Sequence, residues 1–149
     1  MRTVVQRVNN AKIKVDNKII AGIGKGLLIF LAVGKDDKDE DLQYIEEKIV
    51  NLRIFEDSMG KMNLSVLDIK GEILMVSQFT LYGDCRRGRR PSFTEAAPPE
   101  MANEYYERII MDLKSRGIAV STGQFQAHME VELTNDGPVT LILDSNKIL

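Results

Sequence analysis

The chain has 149 residues, of which 44% are hydrophobic and 28% are charged, and its net charge is −2. These totals are typical of a globular domain with its own core, and they exclude a polycation that binds nucleic acid through its overall charge. No apolar run approaches the ~20 residues that a membrane-spanning helix needs, and the single cysteine, Cys85, excludes an intramolecular disulfide. We therefore expect one domain over residues 1–149, without a secretion signal and located in the cytoplasm.

The first third of the chain is predicted to be mainly β-structure. Thr3–Val8 has the composition of a strand. The alternating residues Lys12–Val15, the turn pair Asp16-Asn17 and the return run Lys18–Ala21 predict a hairpin. The continuous apolar run Leu27–Val33 predicts a strand that is covered on both faces.

Two amphipathic helices are predicted from apolar spacing. The first begins with the acidic residues 36–41, and its apolar positions recur at helical intervals: Leu42, Ile45, Ile49 and Leu52. The second begins at Pro99, ends near Gly117 and carries its own apolar stripe: Met101, Tyr105, Ile109 and Leu113.

The other elements are shorter or more ambiguous. Between the helices, extended pieces are predicted at Arg53–Phe55 and Leu64–Leu67, a loop turning at Gly60 over Asp57–Asn63, and a long strand over Glu72–Tyr82. After the second helix, strands are predicted at Ile118–Ser121, Met129–Thr134 and Val139–Leu143. Because strands outnumber helices and hairpins pair antiparallel, we expect an α+β domain, whose mainly antiparallel curved sheet or partial barrel is packed by two helices.

The first candidate for chemistry is a polar segment at the end of an apolar strand. Ser77, Gln78 and Thr80 follow the run Ile73–Val76. Their side chains and backbone N–H groups could hold a carbonyl and the oxyanion that forms when it is attacked. Thr80 could also be a nucleophile, although no activating base is visible. The alternative is an edge strand whose polar residues face water.

The second candidate is the segment Asn-Asp-Gly-Pro-Val-Thr at residues 135–140. Gly137 allows backbone angles and a close approach that a side chain would block, and Pro138 fixes its own φ and lacks an N–H. The segment is therefore either a hairpin turn or a rigid backbone surface that is presented to a ligand.

The third candidate is a dense arginine cluster, formed by Arg86, Arg87, Arg89 and Arg90. Because these four residues contribute +4 to a net charge of −2, the rest of the chain carries −6. An acidic body with one arginine cluster favours a local site for phosphate or carboxylate, since a guanidinium can hold such oxygens bidentately. The alternative is a solvated loop.

Other catalytic arrangements find little support in the sequence. His128 is the only histidine and no nucleophile-elbow motif is present, so a Ser-His-Asp set is not expected. One histidine and one cysteine do not make a typical zinc site. We therefore predict no metal and no cofactor, and interpret His128 as a surface or strand-end residue and Cys85 as an incidental loop thiol.

Two of these segments together resemble the signature motifs of a known family. Ser77-Gln78-Phe79-Thr80-Leu81 and the Asn135–Thr140 segment are similar, in order and separation, to the two motifs of the D-aminoacyl-tRNA deacylases. The resemblance extends through Met1–Val8, Asp57–Val66 and Gly88–Phe93 and covers essentially the whole chain. It implies a carboxylic ester hydrolase that cleaves the bond between a D-amino acid, or mischarged glycine, and the terminal adenosine of tRNA.

The resemblance also implies how the site is built. It implies a homodimer with sites at the subunit interface, and a cis peptide bond at Gly137-Pro138 that enters the pocket of the partner subunit. The catalytic segment would comprise Ser77, Gln78, Phe79 and Thr80, and the substrate-binding residues would be Asn135, Gly137 and Pro138. Either backbone amides around Phe79 and Thr80 polarise the ester, with help from the 2′-hydroxyl of the substrate, or the Thr80 side chain acts directly.

The tRNA contacts are inferred from charge alone. We expect Arg86, Arg87, Arg89 and Arg90 to hold phosphates of the acceptor stem. Two alternatives stay open at this point, namely a catalytically silent RNA-binding module and an editing domain of the kind appended to some threonyl-tRNA synthetases. Retention of both signature motifs argues against the first, and the lack of a fused synthetase domain argues against the second.

Overall fold

The computed structural model describes residues 1–148 and contains one main sheet, two long helices and a two-stranded ribbon. In chain order the elements are β1 (Arg2–Val15), β2 (Lys18–Ile23), β3 (Gly26–Ala32), α1 (Asp39–Asn51), β4 (Phe55–Glu56), β5 (Met62–Leu64), β6 (Glu72–Ser77), α2 (Pro99–Ser115), β7 (Ala119–Thr122) and β8 (Glu130–Asp144). A short 3₁₀ helix follows β6 over Phe79–Tyr82.

The main sheet is organised around the long strand β1. One side of β1 pairs antiparallel with β3 over residues 2–8 and with β2 over residues 11–15, and the other side pairs antiparallel with β8 along its length. Beyond β3 the sheet continues through β6 and β7, and both of these pairings are parallel. The α+β class with a curved, barrel-like sheet and two packed helices is confirmed, with the qualification that the sheet is mixed.

Alternation along β3 separates two hydrophobic clusters. Leu27, Ile29 and Leu31 belong to the larger cluster, which also contains the apolar faces of both helices. Leu28 belongs to the second cluster, together with Val8 and other residues of β1, β2 and β6. Because successive side chains of a strand point to opposite faces, one apolar strand serves both clusters, as the continuous run over residues 27–33 predicts.

Several predicted elements match the structure closely. The hairpin between β1 and β2 turns at Asp16 and Asn17, whose φ values are 49° and 61°, as the two-residue turn requires. Gly60 has φ +73° within its loop, and Pro99 is the first residue of α2. The acidic first turn of α1 begins at Asp39, three residues later than the acidic run itself.

Other predicted elements were wrong, and two of them contain the segments with candidate site residues. The predicted strand Glu72–Tyr82 ends at Ser77, because the chain then turns into the 3₁₀ helix. The predicted separate strands Met129–Thr134 and Val139–Leu143 are one strand, β8, so the segment between them is not a hairpin turn. The predicted extended pieces at Arg53–Phe55 and Leu64–Leu67 are displaced to β4 and β5.

Candidate active site

The end of β6 delivers the Ser-Gln-Phe-Thr segment to the surface as a sharp turn. Ser77 is the last residue of β6 and pairs with Leu31 in the parallel ladder. The N–H of Gln78 then donates to the carbonyl of Leu31 at 2.7 Å, and the chain enters the 3₁₀ helix at Phe79. The N–H groups of Phe79 and Thr80 are the first of this helix and have no acceptor inside it, so they are available to another group.

A cavity of about 820 Å³ opens beside this turn. Ser77, Gln78 and Phe79 contribute to its lining, as do residues 125–129 and Val131. The remaining lining residues come from the segment before α2 and from its first turns, namely Phe93, Thr94, Ala96, Ala97, Pro98, Pro99 and Ala102, together with Val76 of β6. The cavity is therefore mostly apolar, with a few hydroxyl and amide groups, as is typical of a site for a small organic group.

Two aromatic rings stand at this cavity in contact with each other. Phe79 and Phe93 pack edge to face, with ring centroids 5.0 Å apart and an interplanar angle of 69°. Phe79 is nevertheless 53% exposed. An exposed ring that is fixed by a neighbouring ring offers a firm apolar surface to a ligand.

Thr80 lies in the turn but not in the cavity lining. Its hydroxyl accepts a hydrogen bond from the Gln78 side-chain amide. Of the described residues that line the cavity, His128 is the only one with a titratable side chain. The structure thus brings Ser77, Gln78 and Phe79 to the cavity, and places the Thr80 side chain against Gln78.

The Gly-Pro segment forms a wide bulge within β8. Gln6 pairs with Thr140 and Val8 pairs with Asn135, so the single residue Arg7 of β1 faces the four residues 136–139 of β8. Within this bulge the Gly137–Pro138 peptide bond is cis and Gly137 has φ +140°. Gly137 and Pro138 are both exposed, so the bulge presents backbone atoms to the outside.

Asn135 closes the bulge from within its own strand. Its side-chain oxygen accepts from the N–H of Val139 at 2.7 Å, and its side-chain nitrogen donates to the carbonyl of Val139 at 3.0 Å. The same nitrogen also contacts Gln6 Oε1 and Thr140 Oγ1, each at 3.2 Å. The side chain predicted to bind substrate is thus occupied in holding the two ends of the bulge together.

Arg7 supports the bulge from β1 and was missed at the level of sequence. Its side chain is 5% exposed, its Nε donates to the carbonyl of Asp136 at 2.9 Å, and its Nη1 donates to the carbonyl of Ile54 at 2.6 Å. Asp136 Oδ2 lies 3.3 Å from the same Nε. The sequence did contain a signal for Arg7. It alternates with Thr3 and Val5 on one face of the predicted strand, and a charge on a buried face needs partners.

The bulge and the cavity are not joined within one chain. Neither Gly137 nor Pro138 belongs to the lining of the cavity. The two signature segments therefore do not line one cavity within the described residues of a single chain.

The arginine cluster lies in a closed loop, which we call the arginine loop (residues 84–92). Its ends are joined by two backbone hydrogen bonds between Asp84 and Ser92, of 2.8 and 3.0 Å. Arg86 binds the Asp84 carboxylate through two nitrogens, at 2.9 and 2.8 Å, and these hydrogen bonds hold the pKa of Asp84 well below its usual range. Arg87, Arg89 and Arg90 are exposed, and none of them forms an ion pair with another of residues 1–148.

The two remaining residues considered in the sequence, His128 and Cys85, are both exposed. His128 lies at the cavity wall just before β8, and Cys85 lies in the arginine loop. Residues 1–148 contain no group of three His, Cys, Asp or Glu side chains arranged to hold a metal ion. Over the same residues, neither α1 nor α2 is long and apolar enough to cross a membrane.

Comparison with solved structures supports the fold. A structure described as c-Myc DNA Unwinding Element Binding Protein is 40% identical in sequence, with a TM-score of 0.91 over 97% of this chain and 98% of that one. A structure described as a probable eukaryotic D-amino acid tRNA deacylase has a TM-score of 0.83 over 95% of this chain and 97% of that one. Since the latter is 18% identical, it bears on the fold alone.

Comparison with curated sequences identifies the family. The chain is 60% identical over 148 residues to a D-aminoacyl-tRNA deacylase from Thermosipho africanus, with 99% of both chains covered. It is 61% identical over 147 residues to a protein of the same name from Clostridioides difficile, again over 99% of both. Residues 4–144 match the family described as D-Tyr-tRNA(Tyr) deacylase. Both signature segments and the loop between them lie inside that match, and the chain belongs to the D-Tyr-tRNA(Tyr) deacylase family.

Proposed function

We propose that this protein hydrolyses the ester bond between a D-amino acid and the terminal adenosine of tRNA, and releases free amino acid and tRNA. The observation that carries the proposal is identity of about 60% over essentially the whole chain to proteins named D-aminoacyl-tRNA deacylase. The geometry supports it, because a cavity of about 820 Å³ with aromatic walls and an adjacent pair of free amides suits an aminoacyl-adenosine ester.

The bulge is proposed to select the D-enantiomer through backbone atoms. The carbonyls of Gly137 and Pro138 would accept from the α-ammonium of the substrate, which fixes the position of the Cα atom. An L side chain would then meet the backbone, whereas a D side chain would face open space. Glycine has no side chain to be rejected, so mischarged glycyl-tRNA is also a proposed substrate. The bracing by Arg7 and Asn135 supports this proposal, since rejection by steric clash needs a rigid surface.

The ester is proposed to be polarised by backbone amides. The N–H groups of Phe79 and Thr80 would donate to the ester carbonyl and to the oxyanion that follows, while Ser77 and Gln78 shape the wall beside it. The 2′-hydroxyl of the terminal adenosine would assist, so the protein contributes mainly positioning. The described cavity lining contains no carboxylate and no lysine, which supports a mechanism in which the substrate's hydroxyl assists and the protein mainly positions the ester.

A complete site is proposed to require two copies of the chain. Gly137 and Pro138 are exposed and lie outside the cavity of their own chain, so a homodimer would place the bulge of one subunit at the cavity of the other. In the same proposal the arginine loop, which contains Arg86, Arg87, Arg89 and Arg90, serves tRNA binding, and the protein acts in the cytoplasm, where aminoacyl-tRNA is used.

The experiment is a comparison of three esters with the purified protein. D-tyrosyl-tRNA and glycyl-tRNA should be hydrolysed, and L-tyrosyl-tRNA should survive at the same enzyme concentration. Equal rates for the two tyrosyl enantiomers would contradict selection by the bulge. Hydrolysis of D-tyrosyl-tRNA without hydrolysis of glycyl-tRNA would contradict only the proposal that glycyl-tRNA is a substrate.

A nucleic-acid-binding protein without catalysis is the second candidate. It is favoured by one observation, the name c-Myc DNA Unwinding Element Binding Protein carried by a structure at 40% identity. This candidate requires stable binding of nucleic acid with no ester turnover, and binding that survives substitution of Gly137, Pro138 and Thr80. The ester assay above separates the two candidates directly.

A further inference from the structure

The four arginines of the arginine loop are not equivalent. Arg86 donates from Nε and Nη2 to the two carboxylate oxygens of Asp84, and its backbone N–H donates to Asp84 Oδ1 at 3.0 Å. A guanidinium in such a bidentate pair is committed to the neck of its own loop. Arg87, Arg89 and Arg90 follow it at the tip, where they are exposed and form no ion pair within residues 1–148.

The neck of the arginine loop lies close to the cavity wall. Gly83 joins the 3₁₀ helix to the arginine loop, and a Cβ atom at this position would lie 3.0 Å from the carbonyl oxygen of Thr80 and 3.1 Å from the Phe93 ring. On the other side of the neck, Phe93 packs on Phe79. The 3₁₀ helix with the free amides, the aromatic pair and the neck of the arginine loop are therefore neighbours in one part of the surface.

This surface combines two features that suit the single-stranded end of a nucleic acid. The exposed Phe79 ring, with the half-buried Phe93 ring beside it, gives a stacking surface for a base, and arginines give bidentate contacts to phosphates. The rest of the chain carries a net charge of −6 once the four arginines are set aside, so attraction of a polyanion is concentrated at this loop. An acidic protein would match the arginines, but planar bases that alternate with phosphates match both the arginines and the rings.

We propose that Arg87, Arg89 and Arg90 bind the phosphates that immediately precede the 3′-terminal nucleoside of an RNA, while that nucleoside lies against Phe79 and Phe93. Arg86 acts as a positioning residue, since it holds the neck through Asp84. The inference rests on the proposed function for the identity of the RNA as aminoacyl-tRNA. It assigns the loop to the unpaired 3′ end, and separates three contacting arginines from one structural arginine.

The test compares two substrates that share the ester but differ in phosphates. One is D-tyrosyl-tRNA and the other is the D-tyrosyl ester of adenosine alone. In the triple variant R87Q/R89Q/R90Q, kcat/KM for the tRNA should fall about 10-fold or more at low salt, while the loss for the adenosine ester should stay below about 2-fold. Since each phosphate contact with a single strand contributes about 0.7 to the slope of log affinity against log salt concentration, that slope should decrease by about 2.

A matched control removes the same charge elsewhere. K18Q/K25Q/K70Q alters three exposed lysines in turns and at the start of β2, outside the arginine loop and the cavity lining. It should leave the salt slope unchanged, as should R86Q measured on properly folded protein. Equal losses in the control, or equal losses for both substrates in the triple variant, would overturn the inference.

Equilibrium binding of uncharged tRNA keeps the inference separate from the proposed function. The triple variant should bind uncharged tRNA more weakly than the wild type and the lysine control, whether or not the ester is hydrolysed. Unchanged binding would overturn the role of the loop and leave an acidic protein as its partner. Normal loop-dependent binding without any hydrolysis would contradict only the deacylase proposal.

Discussion

Thr80 tests whether a side chain or the backbone performs the chemistry. Its hydroxyl is engaged by the Gln78 amide, and its side chain does not line the cavity. We expect T80A to keep kcat for D-tyrosyl-tRNA within about threefold of the wild type, because the variant retains the N–H that we propose to polarise the ester. Loss of a true nucleophile would lower kcat by a factor on the order of 10⁴ or more, and single-turnover hydrolysis would show it.

Gly137 tests whether the shape of the bulge matters. A Cβ atom there would lie 2.7 Å from Val139 Cγ2 and 2.9 Å from the Val139 nitrogen, at φ +140°. We expect G137A to displace the Gly-Pro carbonyls and to lower kcat/KM for D-tyrosyl-tRNA by about 100-fold, as small misplacements of positioning groups can do.

The control for G137A is G60A. Gly60 also has a positive φ, +73°, but nothing lies within 4 Å of its Cβ position. The substitution should cost about 1–2 kcal/mol of stability through backbone conformation and leave hydrolysis unchanged. If both variants lose activity in parallel with their melting temperatures, the bulge has no special role.

At the residue scale, the sequence singles out candidate residues but does not show the contacts that they make. The polar residues after an apolar strand, the Gly-Pro pair and the arginines are all visible as departures from local pattern. The hydrogen bonding of Asn135 to Val139 is not visible in the sequence, because a bulge of four residues opposite one depends on the register of two strands far apart in the chain. Arg7 is hidden for the same reason, since its acceptors are distant carbonyls.

Glu46 on α1 and Arg116, which follows α2, form an ion pair that gives a prediction about pH. Glu46 on α1 is 4% exposed, and burial raises its pKa despite the nearby Arg116, whose Nε lies 2.7 Å from Glu46 Oε1. Because the folded protein then holds this proton more tightly than the unfolded chain, ionisation of Glu46 reduces stability as pH rises above the ordinary carboxyl range. We expect the free energy of unfolding of E46Q, relative to the wild type, to increase between pH 4 and pH 7.

For the neighbouring residue, Glu47, we expect the opposite dependence of stability on pH. Arg116 also binds Glu47, whose pKa is lowered mainly by that side-chain hydrogen bond. The stability contributed by Glu47 is present at neutral pH and lost as pH falls, so E47Q should become less stable relative to the wild type between pH 4 and pH 7. Urea unfolding at several pH values measures both slopes. Slopes of the same sign would show that burial does not dominate at Glu46.

Secondary-structure elements were predictable where local pattern and packing agree. Both helices and the first hairpin follow from apolar spacing and turn residues. The elements that carry the candidate site do not follow from such patterns, because strand pairing in the folded chain overrides their local sequence preferences. Gly-Pro suggests a turn, yet β8 continues through it since β1 pairs with the strand on both sides of the bulge. The apolar start of residues 72–82 suggests one strand, yet the strand ends where its pairing with β3 ends, at Ser77.

For the whole molecule, the separation of bulge and cavity leads to a prediction about assembly. If each active site combines the bulge of one subunit with the cavity of the other, two inactive variants can restore each other. G137A disables the bulge, and a variant with a filled cavity, A102W, disables the wall near α2. Random pairing of the two chains gives half mixed dimers, each with one intact site of two, so about a quarter of wild-type activity should return.

The mixing experiment distinguishes a shared site from one contained in a single chain. The two variants are unfolded together, refolded as a mixture, and assayed on D-tyrosyl-tRNA at a fixed total concentration. Separately refolded samples of each variant, combined only in the assay, are the control and should stay inactive until subunits exchange. A site within one chain contains at least one altered residue in every molecule, so recovery of activity requires that Gly137 and Pro138 act across the interface.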